Sequence, residues 1–226
     1  MSRWFMSSLL LFFVSVTVTI YVIVYRETLL LDLVPIHWGV TGKPDGWVPR
    51  DSIIGSIVIM PAIVVFFLFI SRVIPYLSPT NYQVETFRPA FEYIIFLVVA
   101  LMVYLHIIIL LAQMQKISDI GRWMMAGMHV IFAAMGQVMS QVRRNFFVGI
   151  RTPWTMASEK VWNATHRMAG WTFVVGGVMG LLVLFTPLNP LWSLPVLLGM
   201  AFVPVFYSLW LYKRLESCGQ LEPPQT

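Results

Sequence analysis

The chain has 226 residues, of which 58% are hydrophobic and 11% charged, with a formal net charge of +5. An average soluble chain carries about 25% charged residues, and a mean hydropathy of +0.79 leaves more apolar surface than a soluble domain of this length can hide, which excludes soluble and disordered classes. The single cysteine, Cys218, rules out a disulfide framework and a cysteine zinc site, and a basic balance in such a chain reflects Lys and Arg held at the cytoplasmic face, so no direct nucleic-acid binding is expected.

Uninterrupted apolar runs of roughly 20 residues predict transmembrane helices. Six are found, over Trp4–Tyr25, Ile53–Ile70, Phe91–Ala112, Met124–Val142, Met168–Phe185 and Leu191–Tyr212. The fold class is therefore all-α, a polytopic membrane protein with six spans. The first run is too long for a signal-peptide core and lacks a small-x-small cleavage pattern, so it is expected to stay as a span. Residues 1–90 read as a two-span N-terminal region with an external loop, and 91–226 as a four-span C-terminal region with an elaborate internal loop.

The loop after the first run is PIHWGVTGKPDGW. Lys43-Pro44-Asp45-Gly46 fits a type I turn, with Pro second and Gly fourth. Such a turn folds the loop back, brings His37 towards Asp45 and sets Trp38 and Trp47 at headgroup level. Two readings stand side by side: a turn anchored by two tryptophans, or a rim of Pro35, His37, Trp38, Gly42, Asp45, Gly46 and Trp47 that meets an external ligand. One His and one Asp do not make a metal site, and neither metal nor cofactor is expected.

Inside the third and fourth runs lie His106 and His129, both roughly 8 Å below the predicted outer surface by helical rise. Ionisable groups within a span are costly and are functional candidates by default. Neutral histidines hydrogen-bonded between helices explain them equally well. Pro61, Pro195 and Pro204 fall inside predicted spans and are expected to bend them. Gly176 and Gly180 form a GxxxG face for close helix approach, within the chain or between copies. TPLNP, residues 186–190, is a tight turn that makes the last two spans antiparallel neighbours.

The joint between the fourth and fifth runs is the most specific stretch. RRNFFVGIRTPW, residues 143–154, packs three arginines, three aromatics, a glycine and a proline, and SEKVWNATHRMAGW follows over 158–171. Thr152 before Pro153 reads as a helix N-cap with Pro in the first turn, and Ser158 as a second helix start. A helix from Ser158 places Trp162 and His166 on one face and runs into the fifth span. A polybasic anchor for anionic lipid needs neither Asn145, Gly149 nor the Thr-Pro-Trp order, so a specifically folded loop is expected. Ten of the fifteen Lys and Arg residues lie at the N-terminus, the second and fourth loops and the tail, which places both termini and this loop in the cytoplasm. Asn163-Ala164-Thr165 matches a glycosylation sequon on that side, where it is coincidence.

These residues resemble the SdpI family of bacterial immunity proteins. The resemblance is carried by RNFFVGIRTPWT, residues 144–155, with Ser158, Val161, Trp162, Thr165, His166, Arg167 and Gly170 after it. The external loop is similar to the uncharacterised domain that commonly precedes that region, departing at Gly39, where a polar residue is expected. The resemblance implies a multi-pass protein of the bacterial plasma membrane, in contact with the lipid bilayer, that resists a secreted antimicrobial peptide toxin met outside. It also implies a possible relay to a cytosolic transcriptional repressor. The site residues it implies inside are Arg144, Asn145, Phe146, Gly149, Arg151, Thr152, Pro153, Trp154, Trp162, Thr165, His166, Arg167 and Gly170. The rival reading is a small transporter or channel using His106 and His129. No P-loop, nucleophile elbow, HExxH or dinucleotide motif occurs, so an enzyme is not expected.

Overall fold

The computed structural model describes residues 2–39 and 42–222. Eight helices and one hairpin make up the regular structure among them: α1 Arg3–Val24, α2 Arg26–Leu29, β1 Leu33–Trp38, β2 Pro44–Pro49, α3 Ile54–Leu77, α4 Arg88–Gln113, α5 Ile120–Met139, α6 Pro153–Ala157, α7 Glu159–Leu184 and α8 Leu194–Ser217. The protein is thus a helical membrane protein carrying a two-stranded β-hairpin that the apolar pattern did not announce. Five helical stretches among the described residues are long and apolar enough to cross a membrane, those of α1, α3, α4, α7 and α8. The fourth predicted span is α5, which at 20 residues is shorter than these and is not among them.

Helix ends follow the local chemistry. Ser2 caps α1 by accepting from Phe5 N–H, and Asp119 caps α5 by accepting from Arg122 N–H, so α5 begins four residues before the expected start. α3 runs past Ile70 because Arg72 stays helical and lays its guanidinium 3.6 Å from the ring centre of Phe5. It ends only after Pro75. Pro61 and Pro204 lie within helices as expected, whereas Pro195 sits in the first turn of α8, where its missing N–H costs nothing.

Two three-helix groups share one interface. α1, α3 and α4 pack together, α5, α7 and α8 pack together, and α4 meets α5 between them. One core joins Val64, Phe91, Val99 and Val103 to Val142 and Trp162 at the Arg88 end of α4. A second core at the opposite end gathers Val22, Val34, Ile53, Ile57 and Leu110 beneath the hairpin. With α4 spanning 26 residues, these ends are about 39 Å apart.

Glycines set the α5–α7 crossing. A Cβ at Gly136 would lie 2.7 Å from the Gly170 carbonyl oxygen, one at Gly177 2.7 Å from the His129 carbonyl oxygen, and one at Gly176 2.9 Å from Met200 Cβ on α8. The GxxxG face is spent on packing within the chain.

Candidate functional site

At the Arg88 end of α4, the loop after α5 is a closed hydrogen-bonded knot. Asn145 is fully buried. Its Nδ2 donates to the carbonyls of Arg143 (2.8 Å) and Val148 (2.9 Å), and its Oδ1 accepts from the N–H groups of Phe147 (2.7 Å) and Val148 (2.8 Å). Both donors and both acceptor positions of the amide are therefore used. Gly149 follows at φ +111°, and a Cβ there would lie 2.4 Å from His166 Nε2. Glycine is required twice over, by conformation and by space.

His166 ties this loop to α7. Its Nδ1–H donates to the Trp162 carbonyl (2.9 Å) and its Nε2 accepts from Ile150 N–H (3.1 Å), which selects one neutral tautomer. Its ring stacks on Trp162 at 4.0 Å between centres, and Trp162 Nε1–H donates to the Val142 carbonyl at 2.8 Å. The expected shared face of Trp162 and His166 is realised as a clamp on both ends of the loop.

Thr152 and Thr155 form the expected cap as a reciprocal capping box around α6, with Pro153 at its first turn. Thr155 Oγ1 also donates to the Ile150 carbonyl at 2.8 Å, and Thr152 Oγ1 reaches Ser208 Oγ of α8 at 3.2 Å. Arg144 Nη1 donates to the Met156 carbonyl (3.2 Å), and Arg151 donates to the Phe146 carbonyl. Phe146 remains exposed and meets Tyr82 edge-on at 4.6 Å. Trp154 is half-buried, Arg167 is exposed, Gly170 is consumed by the α5 crossing, and Thr165 Oγ1 is buried with no partner among the described residues.

The start of α7 adds a partner that spacing did not reveal. Ser158 caps the helix, and the Glu222 carboxylate from the tail accepts from Ser158 Oγ (3.0 Å), Glu159 N–H (2.8 Å) and Lys160 N–H (3.2 Å). These are the free N–H groups of a helix start, where negative charge is favoured.

At the far end stands the hairpin. Its register pairs Val34 with Val48, Pro35 with Trp47, His37 with Gly46 and Trp38 with Pro44, with irregularities on either side of His37. The chain reverses at Gly39–Gly42, where Gly42 N–H donates to the Gly39 carbonyl at 2.9 Å and Gly42 takes φ +75°. This corrects the turn expected at 43–46, whose Pro44, Asp45 and Gly46 lie in β2; Val40 and Thr41 fall outside the described residues. The irregular register swings Asp45 onto His37, whose Nδ1–H donates to Oδ1 at 2.5 Å. Gly46 fits because it faces His37, a Cβ there lying 3.1 Å from His37 Cβ, and Gly39 leaves its side-chain space to the Asp45 carboxylate, 2.9 Å away.

Trp38 packs against the core of Ile108, Ala112 and Ile120, whereas Trp47 is 53% exposed. Between the hairpin and the α4–α5 connection opens a cleft of about 280 Å³ lined by Pro35, Trp38, Trp47, Gln115, Ile117 and Ile120. A neighbouring one of about 350 Å³ adds Lys43, Asp119, Arg122 and the α7–α8 turn. Arg122 holds that turn: it donates to the carbonyls of Leu184, Thr186 (3.1 Å) and Leu188 (3.1 Å) while its Nε meets Asp119 at 3.0 Å. The only sequence signal for this was an Asp three residues before an Arg at a helix start.

Between these ends lie His106 on α4 and His129 on α5. His106 Nε2 bonds Thr19 Oγ1 of α1 at 2.9 Å. His129 is buried against α7, a Cβ at Gly180 falling 2.0 Å from its ring, and neither ring nitrogen has a side-chain hydrogen-bond partner among the described residues. No hydrogen bond joins the pair among the described residues. Among the described residues no group of three His, Cys, Asp or Glu side chains converges.

The knot, α6, α7 and the first half of α8 coincide with one unit of comparison: residues 141–208 match the SdpI/YfhL protein family. The C-terminal region of this chain is similar to that family. A 92-residue stretch is also 32% identical to the immunity protein SdpI of Bacillus subtilis (strain 168), covering 40% of this chain and 44% of that protein. The chain thus matches less than half the length of that curated relative. No solved structure matches it. The Thr152–Ser208 contact joins the early part of the SdpI/YfhL segment to its last residue.

Proposed function

We propose that this protein is a multi-pass protein of the bacterial plasma membrane that protects its cell from a secreted antimicrobial peptide. The observation that carries this reading is the 32% identity over 92 residues to a protein named for immunity, together with the family match over residues 141–208. We take it to have six spans with both termini in the cytoplasm: the charge asymmetry supports the orientation, and the packing of the 20-residue α5 between α4 and α7 supports counting it as a span. This puts the hairpin outside. There the peptide docks in the cleft beneath the hairpin, with Trp47 as the exposed aromatic contact, Trp38 as the floor and the His37–Asp45 pair as the polar rim. The SdpI/YfhL segment sets the fold inside and relays occupancy to a cytosolic regulator such as a transcriptional repressor. No bond-making step is assigned to any residue.

Growth of cells with and without the gene, challenged with peptides secreted by the same or neighbouring strains, tests the reading. Protection by the intact gene supports it, and equal survival against all such peptides overturns it. A second reading, a small transporter, rests on His129, whose ring nitrogens have no side-chain hydrogen-bond partner among the described residues. Solute flux in proteoliposomes that is lost in His129→Phe would favour transport over immunity.

A further inference from the structure

Between the turn at Thr80–Phe87 and the knot lies an open pocket of about 310 Å³ lined by Thr80, Tyr82, Gln83, Thr86, Arg143 and Arg144, with Glu159 on its rim. Two guanidinium groups face one carboxylate, so the pocket is net positive. Arg144 is already fixed, donating to the Met156 carbonyl at 3.2 Å and lying 5.4 Å from the centre of the Tyr82 ring. Arg143 is different. Its backbone carbonyl is pinned by Asn145 Nδ2 at 2.8 Å, yet its exposed guanidinium makes no hydrogen bond, ion pair or ring contact among the described residues.

An arginine whose donors have no partner among the described residues, beside a second arginine and the Thr80 hydroxyl, matches the needs of a phosphate oxygen set. A guanidinium offers two parallel donors to phosphate, and the Thr80 hydroxyl can add another, the Thr86 hydroxyl donating instead to the Gln83 carbonyl at 2.8 Å. The volume exceeds a bare phosphate and leaves room for its ester substituents. The exposed ring of Phe146 stands beside Tyr82 at 4.6 Å as an apolar neighbour for such a substituent.

We propose that this pocket binds a phosphate group, with Arg143 as the side chain that takes it and Arg144 and Tyr82 as the preformed wall. The group comes from the headgroup of an anionic phospholipid or from a soluble phosphate compound. The site does not depend on the immunity reading.

Native mass spectrometry of the purified full chain, titrated with phosphatidylglycerol and separately with inorganic phosphate, tests it. Arg143→Ala is the main variant, Arg143→Lys the charge-retaining one, and Arg167→Ala the control for an exposed arginine outside the pocket. Loss of phosphatidylglycerol affinity in Arg143→Ala by about fivefold, the factor for one interfacial basic residue at about 1 kcal/mol, supports a lipid source, with Arg143→Lys intermediate and Arg167→Ala unchanged. Arg143-dependent binding of inorganic phosphate without a phosphatidylglycerol effect supports a soluble source. Equal binding of both probes by the intact protein and Arg143→Ala overturns the proposal. The Arg143 side chain has no partner to lose among the described residues, and an unchanged elution volume of each variant checks that folding is intact.

Discussion

The two ends of α4 are built on opposite plans. At the knot, Asn145 has all four of its hydrogen bonds inside the protein, His166 is held at both ring nitrogens and Gly149 has no room for a methyl group. At the hairpin, the His37–Asp45 pair and Trp47 are exposed, while Val34 and Pro35 are buried and Trp38 leans on a core. Buried polar groups that are fully paired fix one shape and are expensive to disturb. Exposed ones cost little to change and are free to meet something else. The difference separates a part that holds the fold from a part that can be varied for recognition.

Substitutions should show this contrast in order of size. Asn145→Ala leaves two carbonyls and two N–H groups without their partner, and Gly149→Ala drives a methyl into His166 at a backbone conformation that L side chains rarely adopt. Each is expected to destabilise the protein by about 2–4 kcal/mol, read by tryptophan fluorescence during denaturant unfolding in micelles. A loss below about 1 kcal/mol would erase the distinction between the ends.

Arg122→Ala comes next, because it uncaps the end of α7 and frees the α7–α8 turn. About 1.5–3 kcal/mol is expected, the range for hydrogen bonds to a charged group. Proteolysis should increase at residues 185–190 in this variant. Gly180→Ala forces His129 from its socket at a cost of about 1–3 kcal/mol by overpacking, and thermal unfolding should report it. His129→Ala in the same chain should restore part of that loss by vacating the space. The smallest stability effect belongs to Asp45→Ala, at about 0.2–1 kcal/mol for an exposed pair, measured by the same unfolding assay.

The helical frame was legible because apolar runs of membrane length leave few alternatives, and five of the six runs coincide with helices that meet a membrane criterion. Thr152, Ser158, Trp162 and His166 were legible as caps and a shared helix face because those are local, periodic relations. The hairpin was hidden because its strands are short and rich in Pro and Gly, which count against strand assignment, and the position of its turn depended on Gly42. Contacts between distant segments were out of reach. Glu222 at the start of α7, Arg122 at its end and Thr19 beside His106 are set by tertiary packing, and no spacing rule connects residues 60 or more positions apart. The match over residues 141–208 falls on the knot, where the sequence was most specific.

The central claim is that protection depends on the hairpin face while the knot supplies the frame, and peptide-challenge survival of cells carrying Trp47→Ala with Asp45→Ala tests it most directly, with membrane abundance measured alongside. The account predicts loss of protection at unchanged abundance, with stability lowered by no more than about 1 kcal/mol. Full protection by this double variant, against a peptide that kills cells lacking the gene, would contradict it.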